Sequence, residues 1–227
     1  MRFLDGSGEF IEPFIEHQGE RRGFWLRKVR PVGERILIAA RGVPIPVSHG
    51  GKAVIRLDFN GAFGTGGHGT TEGCLVALEE RIRGGETVLD AGTGTGILAI
   101  AAHKLGAGSV TAVDIDRAAC AAARKNLSLN GITGGIDVVE GGIGSVTGPF
   151  DVVAANLRTP VLVELAGDIH HHLKGSGVAI LSGILERELH PFLSFLGTCP
   201  LEPVEMKRIR GWMTLVLKKR STFPTGW

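Results

Sequence analysis

The segment that most constrains this chain is Val88-Leu89-Asp90-Ala91-Gly92-Thr93-Gly94-Thr95-Gly96-Ile97-Leu98-Ala99-Ile100. A short apolar run reads as a buried strand, and an alanine-rich run reads as a helix. Three glycines at alternate positions join them. A strand, a glycine turn and a helix in that order form a ligand site at the carboxyl end of an open α/β sheet. Gly92 permits the tight turn, Gly94 lets a ligand approach the backbone, and Gly96 lets the helix pack close to the strand. Dinucleotide folds use G-x-G-x-x-G, which needs glycine at 97. Position 97 is Ile97, and the pattern here is D-x-G-x-G-x-G. An acid at Asp90 repels a pyrophosphate and suits a ligand with a sulfonium and an α-amino group.

A second acid lies in register. Asp114 ends the next apolar run, Val113-Asp114-Ile115-Asp116, 22 residues after Gly92. A carboxylate there can accept hydrogen bonds from both ribose hydroxyls of an adenosine. Ile115 beside it joins the expected cofactor contacts. Loop and acid together point to S-adenosyl-L-methionine.

From Glu86 onward, strand and helix alternate. Strands are expected at 87–90, 109–114, 136–140, 150–155 and 177–182, and helices at 97–105, 117–130, 161–173 and 186–196. A closing hairpin is expected at 204–209 and 212–218. This is an α/β fold: a doubly wound, Rossmann-like sheet, mostly parallel with an antiparallel C-terminal edge hairpin. Ahead of it, 34–40 and 53–59 read as two strands around the turn Val43-Pro44-Ile45-Pro46. The chain then divides into an N-terminal stub and β-hairpin at 1–60 and a catalytic domain at 61–227. Thr70 or Thr71 is expected to cap a helix running to Ile82.

Composition removes other classes. A net charge of +2 demands neither nucleic acid nor an anionic membrane. The longest apolar stretch, Ile97 to Ala102, is too short to span a bilayer. Cys74, Cys120 and Cys199 form no C-x-x-C pair, so no metal site is expected, and reduced thiols fit a cytoplasmic protein. His170-His171-His172 resembles a metal tract, but consecutive helical residues diverge, so surface histidines are expected. The basic stretch from Arg21 to Arg30 reads as a solvated face. Trp25 and Trp212 read as packing residues. His68 reads first as a backbone hydrogen-bonder and second as a base.

Several segments together resemble the PrmA family of ribosomal-protein methyltransferases. They are Phe63-Gly64-Thr65-Gly66-Gly67-His68-Gly69-Thr70-Thr71, the run from Asp90 to Ala102, Ala154-Ala155-Asn156-Leu157, Leu181-Ser182-Gly183-Ile184-Leu185 and Pro31 to Ile38. The likeness runs from about residue 25 to the C-terminus. It implies a class I methyltransferase that moves a methyl group from S-adenosyl-L-methionine to an amine of a protein, a ribosomal protein being one candidate. Cofactor contacts carry over to Thr71, Gly92, Asp114 and Asn156, with Phe63, Thr65 and Gly66 in a loop that covers the cofactor. The family's separate N-terminal substrate-gripping domain has no counterpart of its size in the 24 or so residues before the matching region.

Asn156 is the expected catalytic residue. A lysine amine with a pKa of about 10.4 is neutral in fewer than about one molecule in a thousand at pH 7. An amide oxygen can hold that neutral amine in line. The competing expectation is that Asn156 caps the next helix. Two other functions fit the same loop: an N-methyltransferase of RNA or of a small molecule, and a cofactor-binding regulatory module without turnover. Against base methylation, Asn156 is followed by Leu157-Arg158 and not by a proline pair.

Overall fold

The computed structural model describes residues 29–45, 51–58 and 66–221, with the backbone of two short strands, β1 (Phe3–Leu4) and β2 (Phe10–Ile11), which pair antiparallel. A small sheet follows from β3 (Arg30–Val32), β4 (Ile36–Ala40) and β5 (Ala53–Leu57). β3 and β4 form an antiparallel hairpin, but β4 and β5 run parallel. The hairpin expected around the proline turn is therefore corrected. A parallel pair needs a crossover connection, and the stretch between Ala40 and Ala53 is long enough for one.

Helix α1 (Gly69–Arg81) comes next, and the alternating unit then runs β6 (Thr87–Ala91), α2 (Ile97–Leu105), β7 (Ser109–Asp114), α3 (Arg117–Leu129), β8 (Ile136–Glu140) and β9 (Phe150–Asn156). It continues through α4 (Thr159–Glu164), α5 (Ala166–His172), β10 (Leu173–Leu185) and α6 (Leu189–Leu196), and closes with β11 (Leu201–Ile209) and β12 (Trp212–Lys219). The main sheet has the order β11-β12-β10-β9-β6-β7-β8. Strands β10, β9, β6, β7 and β8 are parallel; β12 and β11 add antiparallel at one edge.

Alternation along each strand divides the core in two. Val88, Val152, Ala154, Ile180 and Val216 join α1, α2 and the small sheet. Leu89, Val153, Ala155, Leu181 and Leu217 join α4, α5 and α6 on the opposite face. Seven of the nine residues of α2 are buried. Ile36, Ile38, Ile55 and Leu57 of the small sheet share its core, so a boundary at 60/61 runs through packed side chains. Arg35 fastens that sheet in place. Its guanidinium donates to the carbonyls of Glu79 and Ile82 at the end of α1 and of Leu105 at the end of α2, at 3.1, 3.1 and 3.2 Å. Carbonyls at a helix C-terminus have no partner within the helix and carry partial negative charge, so one cation satisfies two helix ends.

Three further expectations change. The helix expected over 161–173 bends at Leu165 (φ −88°, ψ −1°) and becomes α4 and α5, although Leu165 and Ile169 amides still donate back four residues. The last strand of the parallel set starts at Leu173, not at Gly177. His172 is buried with Ile169, three residues away on the same helix face, and its ring nitrogens lie 2.8 Å from Asp168 O and 3.1 Å from Val146 O. It is an internal residue and not a surface one. Among the described residues, no helix is long and apolar enough to cross a membrane.

Candidate functional site

The turn after β6 is held mainly by its own backbone and by the strand beside it. Gly92 N and Thr93 N both donate to Val113 O, at 2.8 and 3.0 Å, and Gly96 N donates to Thr93 O at 2.9 Å. Gly92 has φ +76°, and a β-carbon there would lie 2.5 Å from Leu157 Cδ2. Gly96 is the left-handed N-cap of α2, where a β-carbon would meet Ala123 of α3 at 3.1 Å. The close packing expected at Gly96 against the strand is therefore corrected: the near neighbour is α3.

Asp90 shares a strand face with Val88 and so points beneath α2, away from the cleft. Its Oδ2 accepts from Thr93 Oγ1 at 2.6 Å and from Ala99 N at 3.1 Å, and its buried Oδ1 has no partner among the described residues. Burial pushes its pKa up to about 6, against the opposing effect of those two hydrogen bonds. The carboxylate expected to face a cationic ligand lies behind the loop instead, because both faces of β6 are buried and the strand's alternation turns it inward.

Asp114 ends β7 on the cleft wall. Its Oδ2 accepts from Gly94 N at 2.9 Å and its Oδ1 from Asp116 N at 3.0 Å, so each oxygen keeps acceptor capacity. Ile115 beside it is 82% exposed, a large apolar side chain presented to the cleft. Asp116, also on the wall, caps α3, accepting from Ala118 N at 2.8 Å.

Across the cleft, Asn156 ends β9 and donates through Nδ2 to Thr71 Oγ1 at 3.3 Å. It does not cap α4, whose N-cap is Arg158 without a side-chain bond. Leu157 N donates to Ser182 O at 3.0 Å and keeps this turn on β10. Helix α1 is capped by His68, not by Thr70 or Thr71: Thr70 N donates to His68 Nδ1 at 3.4 Å. Thr71 is left inside the first turn, where it meets Asn156. The His68 ring lies 4.7 Å from the Trp212 ring, centroid to centroid, with the planes tilted by 59°. Burial lowers the His68 pKa, and the nearby Arg210 lowers it further.

These walls enclose 1130 Å3 above the carboxyl ends of β6, β7 and β9. Of the expected residues, Gly92, Gly94, Asp114, Ile115 and Asn156 line it. Thr71 supports Asn156 from behind, and Thr70 lines the cleft in its place. Gly66 stands outside the wall, its carbonyl accepting from Arg30 at 2.7 Å. Phe63 and Thr65 lie outside the described residues. The lining also includes Trp212, Leu157, Arg158 and Gly183, none of which the sequence marked as site residues. Trp212 arrives through the β10–β12 register, where it pairs with Leu185. No short-range pattern carries that information.

The wall also bears on which ligand fits. It carries three carboxylates (Asp114, Asp116 and Glu164) and one guanidinium (Arg158) among the described residues. A polyphosphate would meet net repulsion there, whereas a nucleoside bearing a positive charge would not. Paired acceptors at Asp114, backbone at Gly92 and Gly94 and an apolar flank at Ile115 fit such a nucleoside.

The family model described as ribosomal protein L11 methyltransferase (PrmA) matches residues 24–220. A ribosomal protein L11 methyltransferase of Caldicellulosiruptor saccharolyticus is 43% identical over 74% of this chain and 55% of its own length. One from Pelobacter propionicus is 39% identical over 86% of this chain and 65% of its own. The chain thus spans about 55 to 65% of the length of these relatives. Among solved structures, a ribosomal protein L11 methylase from Lactobacillus delbrueckii subsp. bulgaricus superposes with a TM-score of 0.78 at 34% identity, covering 85% of this chain and 98% of that one. With the match extending from the small sheet to the last strand, the chain belongs to the PrmA, or ribosomal protein L11 methyltransferase, family.

Proposed function

We propose that this protein transfers a methyl group from S-adenosyl-L-methionine to an amine nitrogen of a protein, with a ribosomal protein as the substrate that its relatives' names suggest. The observation that carries this reading is the meeting of two unlike half-sites in one cleft, a nucleoside-shaped one at Gly92–Asp114 and a neutral one around Asn156. The cofactor, when bound, supplies a carbon made electrophilic by a sulfonium leaving group. Asp114 would accept from the ribose hydroxyls, and Ile115 would cover the base. The backbone at Gly92 and Gly94 would receive the methionyl tail. Asp90 shapes the turn from behind.

Asn156 gives one amide N–H to Thr71, which orients the side chain and leaves Oδ1 as an acceptor for an amine N–H. His68, Thr70, Leu157, Gly183 and Trp212 line the cleft with it and bring no carboxylate, and the Glu164 carboxylate of the same wall is matched in charge by the Arg158 guanidinium. That wall does not stabilise an ammonium, so the acceptor reacts as the neutral amine, and turnover rises with pH toward the amine's own pKa of about 10. A ribosomal-protein substrate implies a cytoplasmic reaction. Asn156→Ala is expected to leave cofactor affinity within about twofold and to cut turnover about 100-fold, the usual scale for one transition-state hydrogen bond. The test is incubation with methyl-labelled cofactor and a ribosomal extract. Label in a protein amine supports the reading; label only in RNA, or in nothing while the cofactor binds, overturns it.

A further inference from the structure

The approach to α1 is gripped from both ends of the chain. Arg30 of β3 donates to Gly66 O at 2.7 Å and, through its other terminal nitrogen, to Glu72 Oε2. Arg210, in the turn between β11 and β12, donates to Gly67 O at 2.8 Å and also reaches Glu72 Oε2. One carboxylate oxygen thus joins two guanidinium groups that each hold a carbonyl just ahead of His68. Capping does not require this, because His68 already caps α1. Packing does not require it either. A β-carbon at Gly69 would lie 2.6 Å from Ile209 O and one at Gly73 would lie 2.1 Å from Thr214 Oγ1, so α1 already sits directly on the hairpin. Arg210 is the one non-glycine residue among those described with positive φ, at 50°. L-residues rarely adopt that conformation. Here it brings the guanidinium onto Gly67 and, two residues later, the Trp212 indole beside His68.

We propose that Glu72 is a positioning residue for the amine half of the cleft: by bridging Arg30 and Arg210 with one carboxylate, it fixes the His68 and Trp212 rings against each other. This rests on reading that half as the acceptor side. Without the carboxylate, two cations converge on neighbouring carbonyls with nothing between them, and their repulsion separates the β3 arm from the hairpin arm. The hairpin arm carries Trp212 of the cleft wall and both arms hold the carbonyls just ahead of His68, so the acceptor loses its frame while the nucleoside half, built on β6 and β7, keeps its own.

The test uses the full chain with Trp25→Phe and Trp227→Phe, so that Trp212 is the sole indole. Glu72→Gln in that background is expected to change Trp212 emission intensity by about half or more as the imidazole moves. It should raise KM for the protein acceptor about tenfold, with the cofactor Kd from calorimetry within about twofold. Glu72→Asp, which restores the charge, should recover most of both. Arg210→Ala, at a half-exposed position, removes one arm and should move emission in the same direction even if Glu72→Gln folds poorly. Unchanged emission with unchanged KM overturns the assignment. So does a lowered melting temperature with unchanged emission, or a cofactor Kd that rises in step with KM. Failure of the parent protein to bind the cofactor would overturn the proposed function, while the emission series would still decide the role of Glu72.

Discussion

Two glycine-bearing turns lead into helices on the same edge of the sheet, and they are held in opposite ways. The turn from Asp90 to Gly96 is held from within, by bonds that reach 3, 9 and 20 residues along the chain, to Thr93, Ala99 and Asp114. The approach from Gly66 to His68 is held from outside, by Arg30 and Arg210, whose bonds to it span 36 and 143 residues. The first turn is a self-contained part whose shape follows from a heptapeptide and one neighbouring strand. The second takes its shape only after β3 and the C-terminal hairpin are in place. A cofactor half assembled locally and an acceptor half assembled late should therefore fail independently.

The largest effect is expected at the buried carboxylate. Asp90 has a folded pKa of about 6, above its unfolded value near 4, so the folded state binds the extra proton. The stability linked to it is full below about pH 4 and is lost as pH rises to about 6, by about 3 kcal/mol, and it changes little beyond. Urea unfolding from pH 4 to 7 should show this fall in the parent relative to Asp90→Asn; parallel curves would mean that the carboxylate is not held protonated in the turn. Next, Gly92→Ala forces a β-carbon into Leu157 at a positive φ, and cofactor Kd should rise about 100-fold by calorimetry. Asp114→Ala removes the ribose acceptor and the tie to Gly94 N, for about 30-fold in Kd, roughly 2 kcal/mol of charge-assisted hydrogen bonding. The smallest change is on the other side: Arg30→Lys should leave cofactor Kd within about threefold. A tenfold loss there would show that the two turns are coupled, contrary to the separation of their supports.

The same contrast explains what could be read before folding. The boundaries of α2, β7 and β8 and the Gly106 stop come from local periodicity and glycine placement, and they stand as expected. Asp114, Gly92 and Asn156 reach the cleft because each follows directly from a strand end. Asp90 was located but misdirected. Both faces of β6 are apolar, so no polar stripe in the sequence marks which side of the strand it shares. The parallel pairing of β4 with β5 was hidden because a proline turn suits a hairpin as well as the start of a crossover. His68 caps α1 through the amide of Thr70, a local bond, but histidine is not a favoured capping residue and the threonines beside it are. Trp212 as a wall depends on a tertiary partner, which the spacing of neighbours in sequence does not carry.

Helix α2 has almost no water-facing flank, since the main sheet lies along one side and Ile36, Ile38, Ile55 and Leu57 lie along the other. A cut just after residue 60 would strip one flank and leave a sticky apolar ridge on what remains. Any graft, split or chimera made from this scaffold must therefore carry the strands beginning at Arg30 as part of its smallest transplantable piece. Recombination in nature faces the same constraint, so the module that can be inherited intact is larger than the nucleoside-binding half alone.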